Sequence, residues 1–268
     1  MRVQNLGELT GDVLIFGGPY SNLQALQALI DVTQSRGITP DNCICTGDVV
    51  AYCADAAATT ALIRGFGCAV VAGNCEKQLG LGATDCGCGF EDGTACDVLS
   101  AGWYGHANAQ IDAEARGWMA ELPDIVTFEY SGRRVAVIHG GVTDVARFIW
   151  PVSGGDVFTQ EIAALSAQVG AVDMVVAGHS GLAFARDLGD VQWVNAGVIG
   201  MPPHDGRPET RFAVLGDGGV VFERLAYDHK AAIAAMQAAG LTQGYHSSLT
   251  SGIWPNEDVL PKALRRGG

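Results

Sequence analysis

Positive charge is scarce in this sequence. Sixteen lysines and arginines stand against 29 aspartates and glutamates, a formal net charge of −13 over 268 residues. A general nucleic-acid-backbone binder needs a basic face to displace counterions, so that class is excluded. A small phosphorylated substrate is not excluded, because a bound metal inverts the local field. Long apolar runs are also missing. None approaches the roughly 20 uncharged residues of a membrane-spanning helix, so no membrane partner is expected. The opening Met1 to Asp12 carries Asn, Glu and Asp and lacks the apolar core of a secretory signal, which makes the cytoplasm the expected compartment. Internal repeats and low-complexity tracts are absent. Charged residues make up only 17% and apolar ones 48%, the balance of a folded, well-buried globular chain. In a reducing compartment the eight cysteines read as thiols or metal ligands rather than as a disulfide framework.

What is present alternates short apolar runs with helical patterns. Val13 to Phe16 is a strand candidate ending in Gly17-Gly18-Pro19, and Ser21 offers an N-cap for a helix that stops at Gly37. Cys43-Ile44-Cys45 runs into Thr46-Gly47-Asp48. A helix from about Asp55 to Phe66 precedes a third strand, Ala69 to Val71, ending in Gly73-Asn74-Cys75-Glu76. From Gly80 to Cys96 the chain is too glycine-rich for regular structure, and helices around Trp103-Tyr104 and from Asp112 to Glu121 follow. No linker separates this stretch, so 1–268 reads as one domain with an insertion or cap at about 80–123. Ile125 to Tyr130 and Arg133 to Ile138 form a hairpin around Ser131-Gly132. A helix near Phe158 to Val169 precedes Met174 to Ala177, which ends in Gly178-His179. Strands at 191–194, 211–215 and 220–225 and a helix at 230–238 complete the pattern.

Asp48, Asn74, His139 and His179 each follow an apolar strand and each adjoin glycine. In open α/β sheets ligands sit at the carboxyl ends of strands. A carboxylate, an amide oxygen and two imidazoles are a four-ligand set for a divalent transition metal. In order, the chain carries Gly47-Asp48, Gly73-Asn74-Cys75-Glu76, His139-Gly140 and Gly178-His179, with Ser21-Asn22-Leu23-Gln24-Ala25-Leu26 before them and Asn195-Ala196-Gly197-Val198 after. This series resembles the calcineurin-like metallophosphoesterase superfamily from about Val13 to Leu225.

The resemblance implies an α/β four-layer metallophosphoesterase sandwich, two mixed β-sheets flanked by helices. It implies a metal-dependent phosphatase or phosphodiesterase acting on a small phosphorylated compound or nucleotide. Asp48, Asn74, His139 and His179 take the places of the bridging and second-metal ligands. Gly18, Tyr20 and Gly181 stand where the family has its remaining first-metal ligands, so one divalent ion (Mn, Fe or Zn) is expected rather than two. Catalytic roles are implied for Asn74 and for Cys75, which replaces the histidine that protonates the leaving group.

Three further expectations stay open. A phenolate from Tyr20, or His204 from its loop, are routes to refilling the first site. Cys86, Cys88 and Cys96 are candidates for a structural metal or a disulfide, with plain thiols as the default. The rivals to catalysis are a protein that only binds a phosphate-bearing ligand and a thiol-dependent redox or metal-handling protein. A homo-oligomer is compatible with the sequence.

Overall fold

The computed structural model describes residues 1–88 and 95–266, with side chains from residue 100 onward in the second stretch. Its strands are β1 (Val3–Glu8), β2 (Val13–Phe16), β3 (Cys43–Cys45), β4 (Ala69–Val70), β5 (Ile125–Tyr130), β6 (Arg133–Val137), β7 (Met174–Ala177), β8 (Phe184–Leu188), β9 (Val191–Asn195), β10 (Thr210–Gly216) and β11 (Gly219–Leu225). The helices are α1 (Leu23–Arg36), α2 (Ala56–Phe66), α3 (Asn74–Leu81), α4 (Ala95–Gln110), α5 (Ala113–Glu121), α6 (Gly155–Val169), α7 (His229–Ala238) and α8 (Tyr245–Ser251).

Two mixed sheets are stacked. One has the order β1-β5-β6-β7-β9-β8, the other β11-β10-β2-β3-β4. In β2, Val13 and Ile15 point between the sheets toward Phe128, Val137 and Val176, while Leu14 and Phe16 point outward to Leu26 and Leu29 of α1. β7 repeats the device, with Val176 facing inward and Val175 and Ala177 facing Phe158 and Leu165 of α6. Burial on both faces explains why these strands read as unbroken apolar runs rather than alternating ones. Sheets flanked on their outer faces by helices match the expected sandwich.

Several local details differ from the sequence reading. Asn22, not Ser21, caps α1, its Oδ1 accepting the Ala25 N–H at 3.1 Å. β1, β8 and α8 are added. β8 pairs with β9 in a second antiparallel hairpin, and its residues only alternate between half-buried and exposed. Asn74 does not sit in an open turn but opens α3, a helix whose first turn is closed by Glu76 reaching back to the Gly73 N–H. α3 lies against α5, and Arg116 of α5 ties the two to α4 by donating to the Leu79 and Asn108 carbonyls. Trp103 and Tyr104 are buried packing residues. Residues 89–94 of the glycine-rich stretch lie outside the described residues.

The strand ends matter most for function. β3 and β4 belong to one sheet and β6 and β7 to the other, and all four open at the same edge of the sandwich. The segments that follow them therefore meet between the sheets.

Candidate metal centre

His139 follows β6 after Ile138, and its Nδ1 lies 2.7 Å from the Thr46 carbonyl oxygen. A carbonyl only accepts, so Nδ1 carries the proton and Nε2 presents a lone pair. Three other polar atoms face that lone pair. Asn74 Oδ1 is 3.1 Å away, His179 Nδ1 2.9 Å and Asp48 Oδ2 3.3 Å, with His179 Nδ1 to Asp48 Oδ2 at 3.8 Å. The orientation of Asn74 is settled by its amide nitrogen, which donates to the Cys86 carbonyl at 2.9 Å and so turns the oxygen inward. All four residues are buried.

Four atoms that act as acceptors or lone-pair donors thus converge with little to hold them together but a cation. Four ligands about 2.0–2.1 Å from a tetrahedral divalent ion stand roughly 3.3 Å from one another. The observed separations straddle that value, so the donor set fits such an ion. The titratable groups of the set also act on one another. Burial pushes the Asp48 carboxyl up, but the two imidazoles outweigh it and hold the group well below its ordinary value. Burial pulls His139 down, yet Asp48 draws enough positive charge to leave it raised. At His179 burial prevails and the imidazole is lowered.

The backbone that aims these groups is tightly bent. Asp48 and His179 have φ of +55° and +48°, a conformation that costs a non-glycine residue about 1–2 kcal/mol and gathers at functional sites. Gly47 is obligatory, since a Cβ there would lie 2.8 Å from His139 Nδ1 and 2.7 Å from the Gly73 nitrogen.

In the sequence Glu76 and Asn195 read only as motif residues, without a role, and Glu161 was passed over; all three make supporting contacts. Glu76 is fully buried. Its Oε2 accepts the N–H groups of Asp48 (2.8 Å) and Gly73 (3.0 Å), and its Oε1 accepts those of Val49 (2.9 Å) and Val50 (3.4 Å). Burial and the neighbouring Asp48 push this carboxyl up to about 7, while four backbone donors favour its charged form. It fastens the Asp48 loop to the start of α3. Asn195, at the end of β9, donates to the Gly178 carbonyl and to Ser180 Oγ, bracing the turn that carries His179. Glu161 of α6 accepts the Val142 and Thr143 N–H groups at 2.6 and 3.1 Å and holds the loop after His139. The one legible signal was the three-residue spacing from Gly73 to Glu76, which is that of a capping box.

Cys75 is buried beside Asp48, its backbone N–H 3.4 Å from Asp48 Oδ1. Burial, and then Asp48 and Glu76, push its thiol well up, so it is held neutral. Cys86 and Cys88 are joined as a disulfide across Gly87, which corrects the default reading of plain thiols: φ of +60° at Gly87 folds the two cysteines together. Cys43, Cys45, Cys53, Cys68 and Cys75 are free. The Cys96 side chain lies outside the described residues.

Where the resemblance expects further ligands, the Tyr20 ring lies over Gly18. A Cβ on Gly18 would stand 2.5 Å from Tyr20 Cζ. Burial, with Asp48 next, raises the Tyr20 phenol well above its ordinary value. Trp254 packs near Gly181. His204 does not reach toward the centre, because its Nε2 pairs with Glu257 and its Nδ1 accepts the Trp254 N–H. No helix among the described residues is long and apolar enough to cross a membrane.

Comparison with known proteins agrees with this fold. The family model described as the calcineurin-like phosphoesterase superfamily domain matches residues 15–216. An uncharacterized protein of Methanocaldococcus jannaschii is 25% identical over 240 residues, covering 82% of this chain and 89% of its own. Among solved structures, a hypothetical protein from Pyrococcus horikoshii superposes with a TM-score of 0.73 at 15% identity, over 90% of this chain and 98% of that one. A metallophosphoesterase from Sphaerobacter thermophilus gives 0.66 at 19% identity, over 91% and 100%.

Proposed function

The chain belongs to the calcineurin-like phosphoesterase superfamily, and from that premise we propose that it hydrolyses a small phosphate ester at a centre holding one divalent ion. Asp48, Asn74, His139 and His179 would hold the ion. The observation that carries this reading is the convergence of their four donor atoms, with the His139 tautomer set by the Thr46 carbonyl. When bound, a divalent ion supplies Lewis acidity toward a phosphoryl oxygen and toward the attacking water.

The chain's own groups have separate tasks. Asp48 and Asn74 orient the donor set. His179 uses Nδ1 there, and its buried Nε2 has no partner among the described residues. Cys75, neutral and beside Asp48, offers an S–H as proton donor where the family has imidazole. A thiol with a raised pKa is a poor acid near neutrality, which argues for slow turnover. The single ion is supported by Gly18 and Gly181, which have no ligand atoms, and by the Tyr20 ring lying over Gly18.

The same features favour one alternative, a protein that binds a phosphate-bearing ligand with little or no turnover. Metal content and hydrolysis of 4-nitrophenyl phosphate and bis(4-nitrophenyl) phosphate with added Mn, Fe or Zn separate the two. One ion per chain and turnover, both lost in His179→Ala, are expected. Saturable phosphate-ester binding without turnover supports the alternative, and two ions per chain overturn the single-ion centre.

A further inference from the structure

We propose that the side of the centre lacking first-metal ligands is an apolar subsite for the organic group of the substrate, and that this group is a short alkyl chain or one aromatic ring rather than a nucleoside. The inference rests on the phosphoesterase reading above and adds the class of ester.

A cavity opens against His179 on that side, walled by Tyr20, Tyr52, Phe148, Val198 and Trp254. No Asp, Glu, Lys or Arg is among the described residues lining it. Its volume is about 70 Å³. A cavity of roughly 150 Å³ encloses benzene, so this one takes a short chain or the inner part of a ring and has no room for a base with its sugar. Nor does it offer the cationic side chains that a chain of phosphates would need.

The residues that would otherwise carry metal ligands build this wall. Tyr20 covers Gly18, and Gly181 leaves the space that the Trp254 ring borders, a Cβ there lying 3.6 Å from Trp254 Cζ2. Tyr20 is held at φ +54°, costly for a bulky residue, by its N–H donating to the Asp48 carbonyl and its own carbonyl accepting from Cys53. The aromatic wall is therefore tied to the loop that presents a metal ligand. Tyr52 meets Tyr20 edge-on at 4.8 Å, and Phe148 lies 4.3 Å from the His179 ring. Trp254 is anchored twice, its indole N–H donating to the Pro202 carbonyl at 2.7 Å and its backbone N–H to His204 at 2.9 Å.

His179 links the two halves. It is nine-tenths buried, its Nδ1 belongs to the donor set, and the same ring borders the cavity beside Phe148. A phosphoryl group held at the donor set, next to the His179 ring, puts the ester's organic group in the aromatic slot.

The test is calorimetric titration of the Mn-loaded full chain with methyl-, propyl- and phenylphosphonate and with adenosine 5′-monophosphate. Propyl- and phenylphosphonate are expected to bind at least tenfold tighter than methylphosphonate and tighter than the nucleotide. Trp254→Ala should bring the three phosphonates within about threefold of one another, and Phe148→Leu should do the same if Trp254→Ala does not fold. Equal affinities in the unaltered chain, or a preference that both variants keep, overturn the subsite while leaving the phosphoesterase reading intact. Tightest binding of the nucleotide overturns the proposed class. Binding of no phosphonate overturns the phosphoesterase reading, and the subsite falls with it.

Discussion

Nε2 of His139 and Nδ1 of His179 face each other at 2.9 Å, each from a different strand end and both beside Asp48 Oδ2. The His139 proton is committed to the Thr46 carbonyl on the far side of the ring, so this close approach invites a cation. Metal should therefore stabilise the fold measurably. At a free ion concentration a hundred times the Kd, linkage gives about 2.7 kcal/mol. Thermal unfolding with Mn or Zn against excess chelator is expected to show that difference, and His139→Ala should abolish it. An unchanged melting temperature with every divalent ion would sink the centre.

Glu76 is predicted to be the most sensitive residue outside the donor set. Both of its oxygens accept only backbone N–H groups, and Glu76→Gln would turn an amide NH₂ against two of them. Leaving buried donors unsatisfied costs about 1–3 kcal/mol each. Urea unfolding should show a loss of about 2–6 kcal/mol for the two donors, accompanied by weaker metal binding because Asp48 and Asn74 lose their common tether. A substitution within 0.5 kcal/mol of the unaltered chain would contradict this role.

Acid should loosen the loop after His139. Burial pushes Glu161 up, but Thr143, Arg147 and the Val142 N–H outweigh it and hold the carboxyl below its ordinary 4.5. For an acid with a lowered folded-state pKa, the stabilisation is full above the unfolded value near 4.5 and fades as pH falls through the lower folded value. Melting temperature is thus expected to fall on going from pH 5 to pH 3, and the slope should flatten in Glu161→Gln. An identical slope in the variant would assign the acid limb to other carboxylates.

The Cys86–Cys88 bridge reaches the centre through Asn74, whose amide nitrogen lies 2.9 Å from the Cys86 carbonyl and 3.4 Å from Cys88 Sγ. Outer-shell partners of this kind change metal affinity by about 10–100-fold when removed. Reduction, or the Cys86→Ser, Cys88→Ser double variant, is expected to weaken Mn binding by about tenfold. Competition with a chromogenic chelator measures it, and unchanged affinity would mean that the loop keeps its place without the bridge.

Much of the architecture was legible because its code is local. Val13 to Phe16 and Met174 to Ala177 are buried on both faces, so their apolar runs stand out. The Ser131-Gly132 turn announced its hairpin. β8 was hidden because Phe184 to Leu188 is a half-buried edge strand whose alternation includes Arg186 and Asp187. α3 was hidden because Gly80 and Gly82 obscure its pattern, and it is held as much by Glu76 and by packing on α5 as by propensity.

The sequence alone determined the donor types and their strand ends: Asp48, Asn74, His139 and His179, with glycine beside each and no ligand at Gly18 or Gly181. Only the tertiary structure decided how they are held. The Thr46 carbonyl, 93 residues from His139, selects its tautomer. Cys86 turns the Asn74 amide, and Trp254 walls the space beside Gly181. Strand periodicity is written in neighbouring residues, whereas these contacts join distant ones across two sheets. They exist only once the core between the sheets has closed.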